Sequence, residues 1–280
     1  MRTWLLILTA GILLSVATLS AREPDPKELA QKGYSAFKEA LAGDEAKLAE
    51  AIRYMEQARN ADDTYVPNLY NLARAYFLDT MIFNREESIS KAEKTFARMI
   101  ELDPSRTDAM AFHGAILAQM SGGRDLDMFM RGAQELKTAF QRTPDDLTVR
   151  IVLAFTSQNI PPQARGVIGV TDPVADLKFI GNVFDNFSSD FAPHASVVMD
   201  AFIGEAQMMA GEKEKARASF EKALKVAEPY DEGQLAGRKR LERTITTRMN
   251  GGEKPIFADP LFAGCHSCHL SAPDKLLTSK

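Results

Sequence analysis

The chain has 280 residues and only two cysteines, too long and too poor in thiols to be a small disulfide-stapled scaffold. Hydrophobic residues make up 45% and charged residues 26%, proportions of a globular chain rather than of a disordered or multi-span membrane protein. With 34 Lys and Arg against 38 Asp and Glu the formal net charge is −4, and no stretch gathers enough cations to neutralise a run of phosphates, which argues against nucleic acid as a partner.

Residues 1–21 read as a secretory signal. Arg2 supplies a positive start, Trp4 to Leu19 form an uncharged core rich in Leu and Ile, and Thr18 and Ser20 place small residues at −3 and −1 for cleavage, with Ala21 as the neighbouring option. The expected location is the periplasm, with no membrane span after signal removal. An uncleaved anchor is the alternative, disfavoured because the apolar core is shorter than the ~20 residues of a spanning helix. No cysteine lies near the cleavage site, so nothing supports lipidation.

From 22 to 249 the chain is rich in Ala, Leu, Glu, Lys, Arg and Met without sustained period-two alternation, which predicts helix throughout. Asp103-Pro104 and Thr143-Pro144 recur 40 residues apart, each with an apolar residue eight positions upstream of the Pro, Phe96 and Leu136, and a small residue ten positions after it, Gly114 and Ala154. Small residues at two helix crossings, a large apolar residue four positions beyond the second, and a Pro after the second helix make this region resemble the tetratricopeptide repeat. Gly204, Ala216, Phe220 and Ala223 fall at the family spacing. Gly33, Ala51, Met55 and Ala58, then Ala73, Ala92, Phe96 and Met99, then Gly114, Gly132, Leu136 and Ala139 give further copies, each with six or seven extra residues between its paired helices. The resemblance implies an all-α array of helical hairpins, a solenoid whose concave groove receives a peptide client or a partner protein. A plain irregular helical bundle is the alternative. Residues 155–192 fit no copy: Asn159-Ile160-Pro161-Pro162 must break a helix. The stretch after it carries Gly166, Gly169 and a Val-Ile-Gly-Val that looks exposed, a loop apolar enough to be expected to touch something.

The helical pattern ends at Asn250-Gly251-Gly252, a C-cap signal, and Pro255 and Pro260 punctuate a mostly irregular tail over 250–280. Both cysteines sit in Cys265-His266-Ser267-Cys268-His269, the C-x-x-C-H attachment motif of c-type haem. The two thiols add across the haem vinyl groups and the adjoining imidazole ligates the iron, so Cys265 and Cys268 are the expected attachment sites and His269 the proximal metal ligand of one covalent haem c. A thioredoxin-like pair would need a strand–helix setting that this tail does not offer. A zinc site built from Cys265, Cys268, His266 and His269 would strain a single short loop. The chain resembles c-type cytochromes in this pentapeptide and its immediate flanks alone. No Met comes after His269, so the second axial ligand of that family transfers to no position.

A tail of about thirty residues cannot enclose a haem by itself, since chains below ~40 residues seldom form independent cores. Phe257, Leu261, Phe262, Leu270, Leu276 and Leu277 are candidates for one side of the ring. The last repeats, the 160–171 loop or a second protein, including another copy of this chain, are candidates for the other. His194, His113, Met208, Met209 and Met249 are more readily read as packed or solvated side chains than as ligands, and His266 points away from the iron of its own motif. Glu86-Glu87 and Asp145-Asp146 read as helix starts rather than as catalytic pairs. No nucleophile–base set or phosphate loop is present in the pattern, so the expectation is not an enzyme but a docking cytochrome that transfers electrons to a protein redox partner, possible homo-oligomer formation included. The alternatives are a non-redox assembly scaffold with a metal- or haem-bearing tail, and a haem-based ligand sensor.

Overall fold

A computed structural model describes residues 25–40, 44–158, 160, 162–170, 172–186, 194–231 and 238–256. The helices are α1 (Pro26–Ala40), α2 (Glu45–Ala61), α3 (Val66–Phe83), α4 (Glu86–Leu102), α5 (Thr107–Met120), α6 (Leu126–Arg142) and α7 (Leu147–Gln158), with a 3₁₀ segment (Pro162–Ile168) after them. Then come α8 (Pro173–Asn186), α9 (His194–Met209), α10 (Lys213–Ala227) and α11 (Arg238–Met249), and no strand occurs among the described residues. The chain is an all-α array of packed neighbouring helices. The closest pairings are the consecutive hairpins α1/α2, α3/α4, α5/α6 and α9/α10, with α2/α3 and α4/α5 contacts joining one hairpin to the next.

Local chemistry sets the helix ends. Asp25 precedes Pro26 and accepts from the Lys27 N–H at 3.0 Å; Asp44 accepts from Lys47, Asp125 from Met128 and Asp146 from Val149, each over 2.9–3.0 Å. These carboxylates satisfy amide donors that have no partner inside their helices. The turns after α2, α4 and α6 repeat one design. The N–H groups of Asp62, Asp103 and Thr143 donate back to the carbonyls of Ala58, Met99 and Ala139 at 2.9–3.0 Å. In the first two, the Asp carboxylate also takes the N–H and hydroxyl of the residue two positions on, Thr64 or Ser105. Those hydrogen bonds hold both carboxyls below the usual aspartate range. Helix α11 ends as its glycines predict: Gly251 adopts φ +94°, and the N–H groups of Gly252 and Gly251 donate to Thr247 and Arg248.

The hairpins cross where the sequence is small. A Cβ on Gly114 would lie 2.6 Å from the Gly132 carbonyl oxygen, so the α5 and α6 backbones touch there; a Cβ on Gly33 would meet Met55 of α2 at the same distance. Ala51 faces Gly33 and Gly132 faces Gly114 at these crossings, and Ala51, Ala92 and Ala216 are fully buried. The six or seven extra residues of the first three hairpins are partly helical: Ala51, Ala92 and Gly132 lie six residues into their helices and Ala216 only three. The large residues beyond the crossings divide in role. Phe96 of α4 stacks on Phe112 of α5, the next hairpin, with ring centroids 4.9 Å apart and planes within 5°. Phe220 instead lies across the crossing of its own hairpin, its ring 2.6 Å from where a Gly204 Cβ would stand.

Helix α7 breaks off at Gln158, and the segment beyond it is not the exposed loop that its composition implies. Ile168 and Val170 are buried and only Val167 is exposed, because the 3₁₀ segment lies against α6, with Gly169 over Lys137. The apolar run is therefore core on two of its three large side chains.

Candidate functional site

Cys265, Cys268 and His269, together with His266, the tail residues Phe257, Leu261, Phe262, Leu270, Leu276 and Leu277, and the signal over 1–21, lie outside the described residues. Within the described part a cavity of about 540 Å³ lies between α3, α5, α6 and α7. Phe77 and Met81 of α3, Phe112 of α5, Phe129 of α6, and Val152 and Phe155 of α7 form most of its apolar wall. Ile160 and Ala164, on either side of the Pro161-Pro162 break, complete it. Its size falls within the ~300–1,000 Å³ of pockets that take small molecules and cofactors, and its polar groups are few, Gln119, Ser121, Asp125 and Thr156 among them.

The wall is held from behind. Phe77 meets Phe112 edge to face at 6.3 Å, Phe112 stacks on Phe96, and Tyr70 contacts both of the latter rings at 6.2–6.3 Å. Such offset and edge contacts fix ring orientation beyond simple burial. Complete burial pushes the Tyr70 hydroxyl up to about 12, so it stays neutral. Across the array Phe155 meets Phe202 of α9 edge to face at 4.5 Å. Gln119 Nε2 donates weakly to the Met81 thioether at 3.5 Å, linking α5 to α3 at the wall.

All four large apolar side chains that stand exposed among the described residues belong to the elements that build this cavity: Met120 at the end of α5, Leu126 and Met130 on α6, and Val167 on the 3₁₀ segment. Leu126, 70% exposed, is itself part of the lining. Beside Ala164, Arg165 is half-buried; its Nε donates to the carbonyls of Ser157 and Ile160 at 2.9 and 3.3 Å, and it has no carboxylate partner among the described residues. Burial lowers the pKa of its guanidinium. An arginine in this position favours an anionic neighbour.

The start of the tail is anchored on α9. Glu205 is fully buried and receives Arg248 of α11 in a two-pronged pair, Nη2 to Oε1 at 2.7 Å and Nε to Oε2 at 2.9 Å. The same carboxylate accepts the Ile256 N–H at 3.2 Å, and Arg248 Nη1 donates to the Gly252 carbonyl at 2.6 Å. One ion pair thereby ties α9, α11 and the chain leaving α11 together. Its fork geometry satisfies both partners, the condition under which a charge is tolerated in the interior.

Of the histidines named as possible ligands, His113 is engaged elsewhere. Its Nδ1 is 2.6 Å from Glu135 Oε2 on α6 and its Nε2 is 3.3 Å from Glu93 Oε1 on α4. Burial alone would lower its pKa, but the hydrogen bond and charge of Glu135, with help from Glu93, outweigh that and leave it raised above 6.5. His113 thus joins three helices across a hairpin boundary. His194 is the first residue of α9, and Met208 and Met249 pack against the core. Glu86 and Glu87 open α4, and Asp146 caps α7, as helix-start carboxylates should. No group of three or more metal-binding side chains occurs among the described residues.

Sequence reasoning did not find the cavity. The available signal was that α3, α5 and α7 are apolar nearly all round, so that each has more apolar surface than one hairpin partner can cover. Compared with known proteins, the chain matches no family model and no curated relative.

Proposed function

We propose that the chain is an exported, tetratricopeptide-like repeat protein that carries one covalent haem c and exchanges electrons with a protein partner docked on the helical array in the periplasm. The observation that carries this reading is Cys265-His266-Ser267-Cys268-His269, with both thiols of the protein and an adjoining imidazole in the one spacing that covalent haem attachment needs. When bound, the haem supplies one-electron chemistry at its iron, at a potential governed by axial ligation and exposure. Cys265 and Cys268 would hold it and His269 would ligate its iron. The apolar cavity fits such a group in size and lining, with Arg165 beside it for an anionic substituent.

The repeat part of the reading draws support from the crossings at Gly33, Gly114 and Gly204, which fall at the small-residue positions of the tetratricopeptide pattern, and from the recurring turn after α2, α4 and α6. Among the described residues no helix is long and apolar enough to cross a membrane. The protein in this reading is a carrier and not an enzyme: its residues bind the group, exclude water from one face and position a partner.

The test is expression with a c-type maturation system. Haem staining on a denaturing gel and a polypeptide mass raised by one haem are expected, with reversible oxidised and reduced optical spectra. Material with the mass of the bare chain removes the electron-carrier reading. A Cys265→Ala, Cys268→Ala chain that still binds the partner but passes no electrons separates the docking cytochrome from a scaffold, in which both versions behave alike.

A further inference from the structure

Resting on the reading of the tail as haem-bearing, we propose that the cavity between α3, α5, α6 and α7 is the seat of the chain's own C-terminal segment, so that residues 257–280 fold back across the array and lay the group carried by Cys265 and Cys268 against Phe77, Phe112, Phe129 and Phe155.

Four observations converge on this occupant. The first is reach. The Ile256 N–H is fastened to Glu205, one helical turn along α9 from Phe202, whose ring lies 4.5 Å from Phe155 on the cavity wall. The chain therefore leaves the described structure from the helix whose Phe202 backs the cavity wall, and the nine residues from Ile256 to Cys265 extend up to ~30 Å. The second is demand. A segment this short cannot enclose a large apolar ring with its own residues and must borrow cover, and a cavity of about 540 Å³ supplies it.

The third observation is exposed apolar surface. Met120, Leu126, Met130 and Val167 stand on the cavity's own elements, and no other part of the described surface presents large apolar side chains to water. Such a cluster marks a surface that something covers. The fourth is charge. Arg165 adjoins the wall with hydrogen bonds to two backbone carbonyls and no carboxylate partner among the described residues, the setting in which a carboxylate substituent on an otherwise apolar ligand gains most. A haem has both the apolar face and the carboxylates. A purely aliphatic ligand would leave Arg165 unmatched, and a peptide from another protein would leave the haem uncovered.

The haem itself reports its position by quenching a nearby indole. The sole tryptophan of the chain is Trp4, inside the segment that this reading removes on export, so the processed chain is dark and accepts one new probe. Leu126→Trp places it at the cavity mouth, on a side chain exposed enough for the change to leave folding intact. Lys32→Trp places a control on the exposed side of α1, two hairpins away. Each is made in the full chain with its haem and in the Cys265→Ala, Cys268→Ala chain without it. Haem loading is verified first by mass. The expected result is at least a tenfold loss of Leu126→Trp emission in the loaded chain relative to the unloaded one, a several-fold smaller loss for Lys32→Trp, and no dependence on protein concentration. Equal quenching of the two probes, or none, overturns the proposal while the haem reading stands. Quenching that grows with concentration assigns the cavity to the tail of a second copy and overturns it too. A colourless chain of bare-polypeptide mass removes the haem reading and the proposal together.

Discussion

The hairpins from α1 to α6 and the region from α7 to α9 solve the same problem by different means. After each of the first three hairpins the same four-residue connection recurs, with the cap amides of Asp62, Asp103 and Thr143 returning to the carbonyl four residues back. Each junction there is specified by bonds within a few residues of sequence. After α7 that device is missing. The chain passes through a double proline and a 3₁₀ segment before α8, and α7 is tied to α8 by Arg150 Nη1 on Asp176 Oδ1 at 2.7 Å, with the guanidinium over the Phe140 and Phe179 rings. The lesson is functional. Where α7 lacks a regular antiparallel partner, its apolar face with Phe155 and Val152 remains to line the cavity, and the irregular segment contributes Ile160 and Ala164 to the same wall. The break in the repeat is what makes the site.

The contrast can be broken most severely at the long-range end. Glu205→Ala strands Arg248 in the interior and should cost about 3–5 kcal/mol, read as a lowered urea midpoint. Glu205→Leu with Arg248→Met should recover most of that loss, because it removes both charges rather than one. A double variant as unstable as the single one would mean that the Ile256 anchorage, not the charge, carries the effect.

Next in size, Gly114→Ala drives a methyl onto the Gly132 carbonyl and should destabilise by about 1–3 kcal/mol. Gly166→Ala in the irregular segment, where a Cβ would meet nothing within 4 Å, should stay within about 0.5 kcal/mol. Equal effects would erase the distinction between a tight crossing and a loose connection. Asp125→Ala removes the α6 cap and should cost about 1 kcal/mol, visible as faster amide exchange at Met128 before any global change.

The smallest effect is on pH dependence. The folded pKa of His113 is raised above 6.5, so its contribution is complete below the unfolded value and is lost as pH rises through the folded one. Wild-type melting temperature should therefore fall between its plateau below pH 6.5 and the alkaline side by more than that of His113→Gln. Parallel curves for the two chains would show that the contacts with Glu93 and Glu135 do not depend on charge.

Much of the helical layout is legible in the sequence because it is local. Asp103-Pro104 and Thr143-Pro144 mark the ends of α4 and α6, Asn250-Gly251-Gly252 closes α11 as the glycines indicate, and Asp146 caps α7. The small residues at 33, 51, 114, 132 and 204 are legible as crossings because close backbone approach admits few side chains. Val167, Ile168 and Val170 do not behave as one exposed set, because whether an apolar run meets water depends on what packs over it, here α6. Phe220 packs over the crossing of its own hairpin, since Gly204 leaves room for the ring there.

Sequence alone was enough for the helix ends at Asp103-Pro104, Thr143-Pro144 and Asn250-Gly251-Gly252 and for the C-x-x-C-H spacing, since each depends on atoms a few bonds or one helical turn apart. Only the folded chain decided that Phe77, Phe112, Phe129 and Phe155 share a cavity, that His113 lies between Glu93 and Glu135, and that Glu205 holds Arg248 and Ile256. Those partners are 20 to 51 residues apart for the two polar clusters, and nothing but the stacking of one helix pair on another brings them within reach.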